Sequence, residues 1–169
     1  MAYGERELLA LLDRIGISHQ TSYHPPLHTV EESRALRGDL PGAHCKTLFL
    51  RDARQRYVLA VIAEDRRLDV KGLQRALAPA CGRLSFASAE ELERILGVRP
   101  GSVTPFALVN ANRTGAEIIV VIDRDVMAAE EANFHPLHNA ATTRIASRDL
   151  PAFIEHCGYA PRILDFSAL

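Results

Sequence analysis

The chain has 169 residues, of which 47% are hydrophobic and 24% are charged, and its formal net charge is −1 at pH 7. This length and composition predict one globular domain over 1–169 and exclude a disordered protein. The near-neutral charge excludes the broad basic field that drives sequence-independent binding to nucleic acid, so any RNA contact must be local.

The N-terminal leucines are interspersed with charges, and no apolar run approaches the roughly 18 residues of a membrane span. The three cysteines, Cys45, Cys81 and Cys157, lack C-x-x-C spacing. This pattern argues against a disulfide framework or a structural zinc site and indicates a reducing compartment. We therefore expect a cytoplasmic protein with no membrane partner and no DNA partner.

The first elements follow from periodicity and end signals. Leucines at helical spacing predict a helix over 5–15, and Gly16 follows as its terminator. A strand within 17–28 runs into a Pro-Pro turn, which no helix can cross. The capping-box pattern T-x-x-E that begins at Thr29 then opens a short helix ending by Gly38.

The middle of the chain predicts the centre of a sheet. Two apolar runs, 44–50 and 57–63, are joined by a polar turn, as in a β-hairpin whose sheet is covered on both faces. An aspartate-capped helix is predicted over 69–77. A second capping box, at Ser88, opens a helix that Gly97 closes.

The last elements alternate between strand and helix. We predict strands over 106–110 and 117–123 with a turn between them, an irregular stretch over 130–140, a strand over 142–146, a helix over 149–157 and a final strand over 162–166. Short hairpin-type turns outnumber crossover connections. The fold class is therefore α+β, with a central mixed β-sheet and flanking helices.

Lys46 is the first candidate for chemistry, because only two of the 20 basic residues are lysines. In a strand it shares a face with Leu48 and Leu50, so its ammonium emerges beside apolar neighbours. One interpretation is a lysine that extends from the strand end to solvent. The other is a ligand for a phosphate or a developing oxyanion in a pocket.

Two further segments could contribute to a site. The loop from Gly101 to Pro105 lies between a helix and a strand and could direct successive backbone N–H groups at negative charge, although most such loops are plain connectors. In the segment NFHPLHNAATT, Pro136 excludes a helical zinc-binding pair of histidines. His138 is interpreted as structural, and His135 is the better candidate for function.

A zinc hydrolase is an alternative, because His24 and His28 flank two prolines and His44 and Cys45 lie further along the chain. Their spacing matches no ligand signature. The chain has no G-x-S-x-G elbow and no phosphate-binding glycine loop, and Cys45 lacks an evident base, so it is interpreted as a core residue.

Five segments together resemble a known family. HPPLHTVEES, PGAHCKTLFLRD, GRLSFAS, LGVRPGSVTPFAL and NFHPLHNAATT, in this order and spacing, resemble the YbaK/ProX family of aminoacyl-tRNA deacylases over about residues 5–167. The resemblance implies an α+β fold and hydrolysis of mischarged tRNA for proline without metal or other cofactor. It also implies that the 2′-OH of the terminal adenosine assists the attacking water.

The resemblance also implies the site. The catalytic set predicted is Lys46, Gly101, Ser102, Val103, Thr104 and His135, and the substrate-binding set is His24, Pro25, Thr47, Pro105 and Asn139. Relatives specific for alanine often have asparagine after the lysine, where this chain has Thr47. The amino acid removed is therefore expected to be alanine or 2-aminobutyrate.

Partners and rival functions follow from the same residues. The expected partners are mischarged tRNA for proline and, as a second candidate, prolyl-tRNA synthetase. Arg51, Arg54 and Arg56 of the predicted hairpin turn are candidate phosphate ligands. A non-catalytic tRNA- or synthetase-binding module on the same fold would bind tRNA without hydrolysing its ester, and a zinc hydrolase would lose activity with chelators.

Overall fold

The computed structural model describes residues 2–26, 29–37 and 40–169. Its strands are β1 (His19–Tyr23), β2 (Ala43–Arg51), β3 (Tyr57–Ala63), β4 (Ser85–Phe86), β5 (Ile118–Asp123), β6 (Glu131–Phe134), β7 (Ala141–Ala146) and β8 (Pro161–Leu164). Its α-helices are α1 (Glu5–Arg14), α2 (Val30–Arg37), α3 (Val70–Leu77), α4 (Ala89–Glu91), α5 (Leu108–Ala111), α6 (Arg124–Ala128) and α7 (Asp149–His156). A π-helical turn, Leu92–Leu96, extends α4, and short 3₁₀ turns lie at Pro105–Ala107, Asn112–Thr114 and Phe166–Ala168.

The strands that lie in the described residues form one eight-stranded mixed sheet. Its order is β1-β7-β6-β2-β3-β5-β8, with β4 paired to β2 beside this path. The β6/β2, β3/β5 and β5/β8 pairs are parallel, and the other pairs are antiparallel. The predicted α+β class with a central mixed sheet is confirmed.

The predicted hairpin of β2 and β3 forms the centre of this sheet, with Phe49 opposite Leu59 and Leu50 opposite Val58. Side chains alternate between two hydrophobic clusters. Phe49 and Leu59 contribute to one cluster, which includes Phe106, and Leu50 and Val58 contribute to the other. The sheet is thus covered on both faces, as the continuous apolar runs predicted.

The predicted helix ends are confirmed where the structure describes them. The Thr29 hydroxyl accepts a hydrogen bond from the Glu32 backbone N–H at 3.0 Å, which caps α2. Asp69 caps α3, and Ser88 forms a reciprocal capping box with Glu91. The predicted helix end at Gly38 lies outside the described residues.

The predicted strand over 106–110 is wrong, because this segment is helical from Pro105 to Ala111. The Thr104 hydroxyl accepts a hydrogen bond from the Phe106 backbone N–H at 3.3 Å, and Pro105 occupies the first helical position, where its fixed φ favours a helix. These start signals outweigh the β-propensity of the segment. The turn predicted after it is a 3₁₀ turn that ends at Gly115.

The prediction that residues 130–140 are irregular is also partly wrong, because this stretch contains β6. This strand has four residues and lies between β2 and β7. Asn133 Nδ2 donates to the carbonyl oxygens of Pro41 (2.9 Å) and Ala43 (3.2 Å), which ties β6 to the start of β2. Because β6 has only four residues and is held by distant partners, its sequence carries too short a pattern to predict a strand.

Helices long and apolar enough to cross a membrane do not occur in the described part of the chain.

Candidate active site

A cleft of about 380 Å³ opens where β2 lacks a neighbouring strand. On the side away from β3, β2 pairs with β6 through Ala43 and His44 and with β4 through Leu50 and Arg51. Among the described residues, no strand pairs with 45–49 on this side. The edge of β2 therefore forms one wall of the cleft.

Backbone groups of β2 face this gap in a fixed alternation. The His44 carbonyl accepts from Glu64 N at 2.9 Å on the β3 side, whereas the Phe49 carbonyl accepts from Ala87 N at 3.0 Å on the opposite side. In an antiparallel pair, the N–H and C=O of one residue point the same way and alternate along the strand. The main-chain N–H and C=O of Thr47 therefore point into the cleft.

Lys46 lines the cleft and is half-buried. It faces the same side of the sheet as Leu48, as the sequence predicted. Its ammonium has no ion-pair partner among the residues that the structure describes. Glu64 also lines the cleft, but its carboxylate lies 3.4 Å from Arg34 Nε. Lys46 is therefore positioned to bind an anionic group of a ligand.

Thr47 lies on the opposite side of β2 from Lys46, with Cys45 and Phe49. The side chains there form an apolar floor, and they include Cys45, Phe49, Ala87, Leu92, Val103 and Phe134. Burial raises the pKa of the Cys45 thiol to about 12, so this thiol stays protonated and is a poor nucleophile. A small aliphatic side chain matches this floor.

The loop from Gly101 to Pro105 reaches the cleft at two of its residues, Gly101 and Val103. Gly101 has φ of +89°, a conformation that favours glycine. The Ser102 backbone N–H donates to the Arg99 carbonyl at 3.0 Å, so this amide closes a turn.

The other residues of this loop serve the fold. Ser102, Thr104 and Pro105 are buried and lie outside the cleft lining, and Thr104 caps the 3₁₀ turn that follows it. The structure therefore brings Gly101 and Val103 to Lys46, whereas Ser102, Thr104 and Pro105 support them.

His135 lines the same cleft beyond the end of β6. Its Nδ1 lies 3.2 Å from the Ala141 carbonyl oxygen, which can only accept, so Nδ1 carries the proton and Nε2 keeps its lone pair. Burial lowers the pKa of His135, and the nearby His24 and His138 lower it further. The imidazole is therefore neutral at pH 7 and can accept a hydrogen bond.

The other predicted site residues, His24, Pro25 and Asn139, lie outside the cleft lining. His24 Nε2 lies 2.9 Å from Thr142 Oγ1, and Thr142 lines the cleft. Pro25 is exposed and Asn139 is close to Gly101, but neither belongs to the cleft lining. His24 thus reaches the site in two ways, through its contact with Thr142 and through its effect on the pKa of His135.

His138 has a structural role, as the sequence indicated. Its Nδ1 accepts from the Ala140 backbone N–H at 3.1 Å, and its Nε2 lies 2.9 Å from the Glu5 carboxylate. These contacts fasten the segment before β7 to helix α1.

The zinc alternative has little support in the described residues, where no group of three His, Cys, Asp or Glu side chains could hold a metal ion. His44 Nε2 lies 3.0 Å from the Leu40 carbonyl oxygen, and both ring nitrogens of His24 contact oxygen atoms. His28 lies outside the described residues.

Several cleft residues escaped the sequence analysis, among them Glu64, Phe86, Ala87, Asn133 and Thr142. Asn133 and Thr142 lie in the family-like segment NFHPLHNAATT, and Phe86 and Ala87 lie in the family-like segment GRLSFAS. Glu64 lies outside these five segments and carries no local signal.

A family model described as the aminoacyl-tRNA editing domain matches residues 24–153. The chain belongs to the aminoacyl-tRNA editing domain family. The YbaK/ProX resemblance is thereby confirmed, and membership of this family makes the chain a hydrolase of the aminoacyl-tRNA deacylase class.

Relatives of this editing domain extend over nearly its whole length. The prolyl-tRNA editing protein ProX of Acetoanaerobium sticklandii is 32% identical over 155 residues, covering 91% of this chain and 92% of ProX. The prolyl-tRNA synthetase associated domain-containing protein 1 of Bos taurus is 32% identical over 167 residues, covering 95% and 96%. A solved structure described as a candidate trans-editing enzyme for prolyl-tRNA synthetase superposes with a TM-score of 0.74 at 20% identity, covering 98% and 97%, which shows the shared fold.

Proposed function

We propose that this chain is a cytoplasmic trans-editing deacylase that hydrolyses the ester of mischarged tRNA for proline and removes alanine or 2-aminobutyrate. The names of relatives matched over most of both chains, a prolyl-tRNA editing protein and a prolyl-tRNA synthetase associated protein, support the tRNA. The cleft supports the chemistry and the size of the amino acid.

One observation carries the proposal. Lys46, Thr47 and His135 line one cleft beside the gap in the sheet. An aminoacyl ester is already activated, so its hydrolysis needs orientation, an oxyanion contact and a positioned water more than it needs a protein nucleophile. The cleft offers polar groups for these tasks, whereas its only cysteine is protonated.

Each group has a proposed role. Lys46, as a compact charge, binds the phosphate of the terminal nucleotide. The amides of Gly101 and Val103 stabilise the oxyanion as the carbonyl is attacked. The Thr47 carbonyl accepts from the α-ammonium of the aminoacyl group. His135, neutral through burial, accepts a hydrogen bond at Nε2 and orients the attacking water, which the 2′-OH of the terminal adenosine assists.

Selectivity is proposed to be steric. The floor beside Thr47 is apolar and belongs to the buried core, and it is proposed to admit a small aliphatic side chain and to exclude the proline ring. One methylene changes binding in such a pocket by about 1 to 3 kcal/mol, so alanine and 2-aminobutyrate are both within range.

A deacylation panel tests the function. Alanyl, 2-aminobutyryl, seryl, threonyl, cysteinyl and prolyl esters of tRNA for proline are incubated with the protein, and the remaining aminoacyl-tRNA is measured over time. We expect hydrolysis of the alanyl and 2-aminobutyryl esters and sparing of the prolyl ester. Binding of tRNA without hydrolysis of any ester would support the non-catalytic module instead.

Prolyl-tRNA synthetase is proposed as a second partner, on the strength of the name of the Bos taurus relative. Adding the synthetase to the deacylation assay should then raise the rate at limiting enzyme. An unchanged rate would restrict the partners to tRNA.

A further inference from the structure

Phe86 is an exposed aromatic residue at the mouth of the cleft. Among the described residues, three large hydrophobic side chains are strongly exposed: Tyr23, Phe86 and Ile163. Tyr23 donates its hydroxyl to Glu5, and Ile163 lies on the edge strand β8. Phe86 alone among them lines the cleft, and it is 59% exposed.

The backbone holds Phe86 in place. In β4, Phe86 pairs with Leu50 of β2, and the next residue, Ala87, donates its N–H to the Phe49 carbonyl. The Ser88 capping box begins immediately afterwards. Because this backbone is already fixed, a ligand that binds the ring has to order only the side-chain torsions of Phe86, at little further cost in chain entropy.

The proposed substrate has a group that could bind the exposed ring of Phe86. The aminoacyl ester sits on the ribose of the terminal adenosine, so an ester held in the cleft leaves the adenine base at the cleft mouth. Bases without a paired partner bind proteins by stacking on aromatic side chains. We propose that the ring of Phe86 stacks on the terminal adenine and so positions the ester, an inference that rests on the proposed function.

Fluorescence can test the stacking directly, because the chain contains no tryptophan. Phe86→Trp places a single indole at the cleft mouth, and Ile163→Trp places one on β8 as the matched control. The probes are the trinucleotide CCA and the same trinucleotide with an abasic third ribose. We expect saturable quenching of Phe86→Trp by CCA, weaker quenching by the abasic probe, and no saturable quenching of Ile163→Trp.

Kinetics test the positioning role. Phe86→Leu keeps an apolar side chain but removes the ring, so KM for alanyl-tRNA should rise at least about fivefold, as expected for loss of one stacked base, while kcat changes less. Phe86→Tyr should retain the wild-type KM. Hydrolysis of an alanine ester that lacks the base should not change in either variant, which a merely structural role would not predict.

The outcomes separate this inference from the proposed function. If the wild type hydrolyses mischarged tRNA but Phe86→Leu keeps its KM and CCA does not quench Phe86→Trp, the stacking is overturned and the function stands. If no mischarged tRNA is hydrolysed, the function fails, and quenching by CCA still decides whether the ring binds a terminal adenine.

Discussion

Lys46 and Lys71, the two lysines of the chain, differ in their surroundings: Lys46 lines the cleft, whereas Lys71 is exposed on α3. Lys46→Ala should lower kcat/KM for deacylation at least about tenfold, or roughly 1.4 kcal/mol, because it removes the cation proposed to anchor the substrate. Lys46→Arg should restore only part of the rate, because a planar fork replaces a point charge.

Lys71→Ala is the matched control and should be fully active. Circular dichroism and thermal unfolding of each variant check that the fold is intact. A folded Lys46→Ala protein with the wild-type rate would remove Lys46 from the site.

Thr47 is proposed to govern the choice between two small amino acids. Its side chain lies on the side of β2 that carries the apolar floor, and threonine is shorter than asparagine and lacks the amide. We expect 2-aminobutyryl-tRNA to be cleaved at least as fast as alanyl-tRNA. Thr47→Asn should shift the ratio of the two rates toward alanine by about 1 to 3 kcal/mol at most. An unchanged ratio would show that Thr47 does not set the size limit.

Protonation of His135 is expected to produce the acid limb of the pH profile of kcat/KM. Burial lowers its pKa from 6.5, so the imidazole stays neutral until the pH falls below that value. Protonation blocks Nε2 as an acceptor, so log(kcat/KM) should be flat near pH 7 and fall only below pH 6.5. The unfolded chain binds this proton more readily, so stability should also decrease as the pH falls below 6.5.

His135→Gln is the matched variant, because its side chain cannot titrate in this range. Its residual activity should lose the acid limb. A limb that persists unchanged would assign the titration to another group.

The sequence predicts some of these residues and not others. Lys46 and His135 stand out through residue type, local pattern and family resemblance, and both line the cleft. Ser102 and Thr104 belong to the predicted loop from Gly101 to Pro105, but their side chains are buried and do not line the cleft. Asn133 and Thr142 lie in a family-like segment, but their place in the cleft depends on the pairing of distant strands, which no local pattern encodes.

At the level of the elements, the loop before α5 is held by a glycine in the left-handed region. Gly101 has φ of +89° and lines the cleft, whereas Gly115 has φ of +72°, with nothing within 4 Å of a Cβ added there. Alanine at either position should cost stability by about 1 to 2 kcal/mol, because its Cβ disfavours this conformation. Only Gly101→Ala should also lower kcat/KM, by displacing the loop amides that are proposed to bind the oxyanion.

Thermal unfolding and deacylation measured on both glycine variants test this assignment. Equal loss of activity in the two variants would indicate a general effect of instability. Full activity of a destabilised Gly101→Ala protein would show that the loop amides do not contact the carbonyl.

Elements were predictable where a chemical end signal coincides with the periodicity. The caps at Asp69 and Ser88 mark the starts of α3 and α4, and the apolar runs mark β2 and β3. Residues 106–110 were misassigned because their apolar composition suits either state, and the preceding Thr-Pro pair decides for helix. The gap beside β2 was not predictable at all, since it depends on where β4 and β6 pair.

For the whole molecule, a net charge of −1 leaves only a few local cations to hold the proposed tRNA substrate. Two of the three hairpin arginines are neutralised, since Arg51 lies 3.0 Å from Glu91 and Arg56 lies 2.7 Å from Asp52. Arg51 and Arg56 are therefore poor phosphate ligands. Of the three, only Arg54, which is exposed, is still predicted to bind a phosphate.

Because few cations are available, the affinity for tRNA should depend only weakly on salt concentration. A plot of log affinity against log salt should have a shallow slope of about −2, corresponding to two or three neutralised phosphates. If Lys46 binds the terminal phosphate, Lys46→Ala should make the slope shallower by about one, whereas Lys71→Ala should leave it unchanged. An unchanged slope in Lys46→Ala would place the ammonium at the ester carbonyl, because contact with an uncharged group releases no counterion.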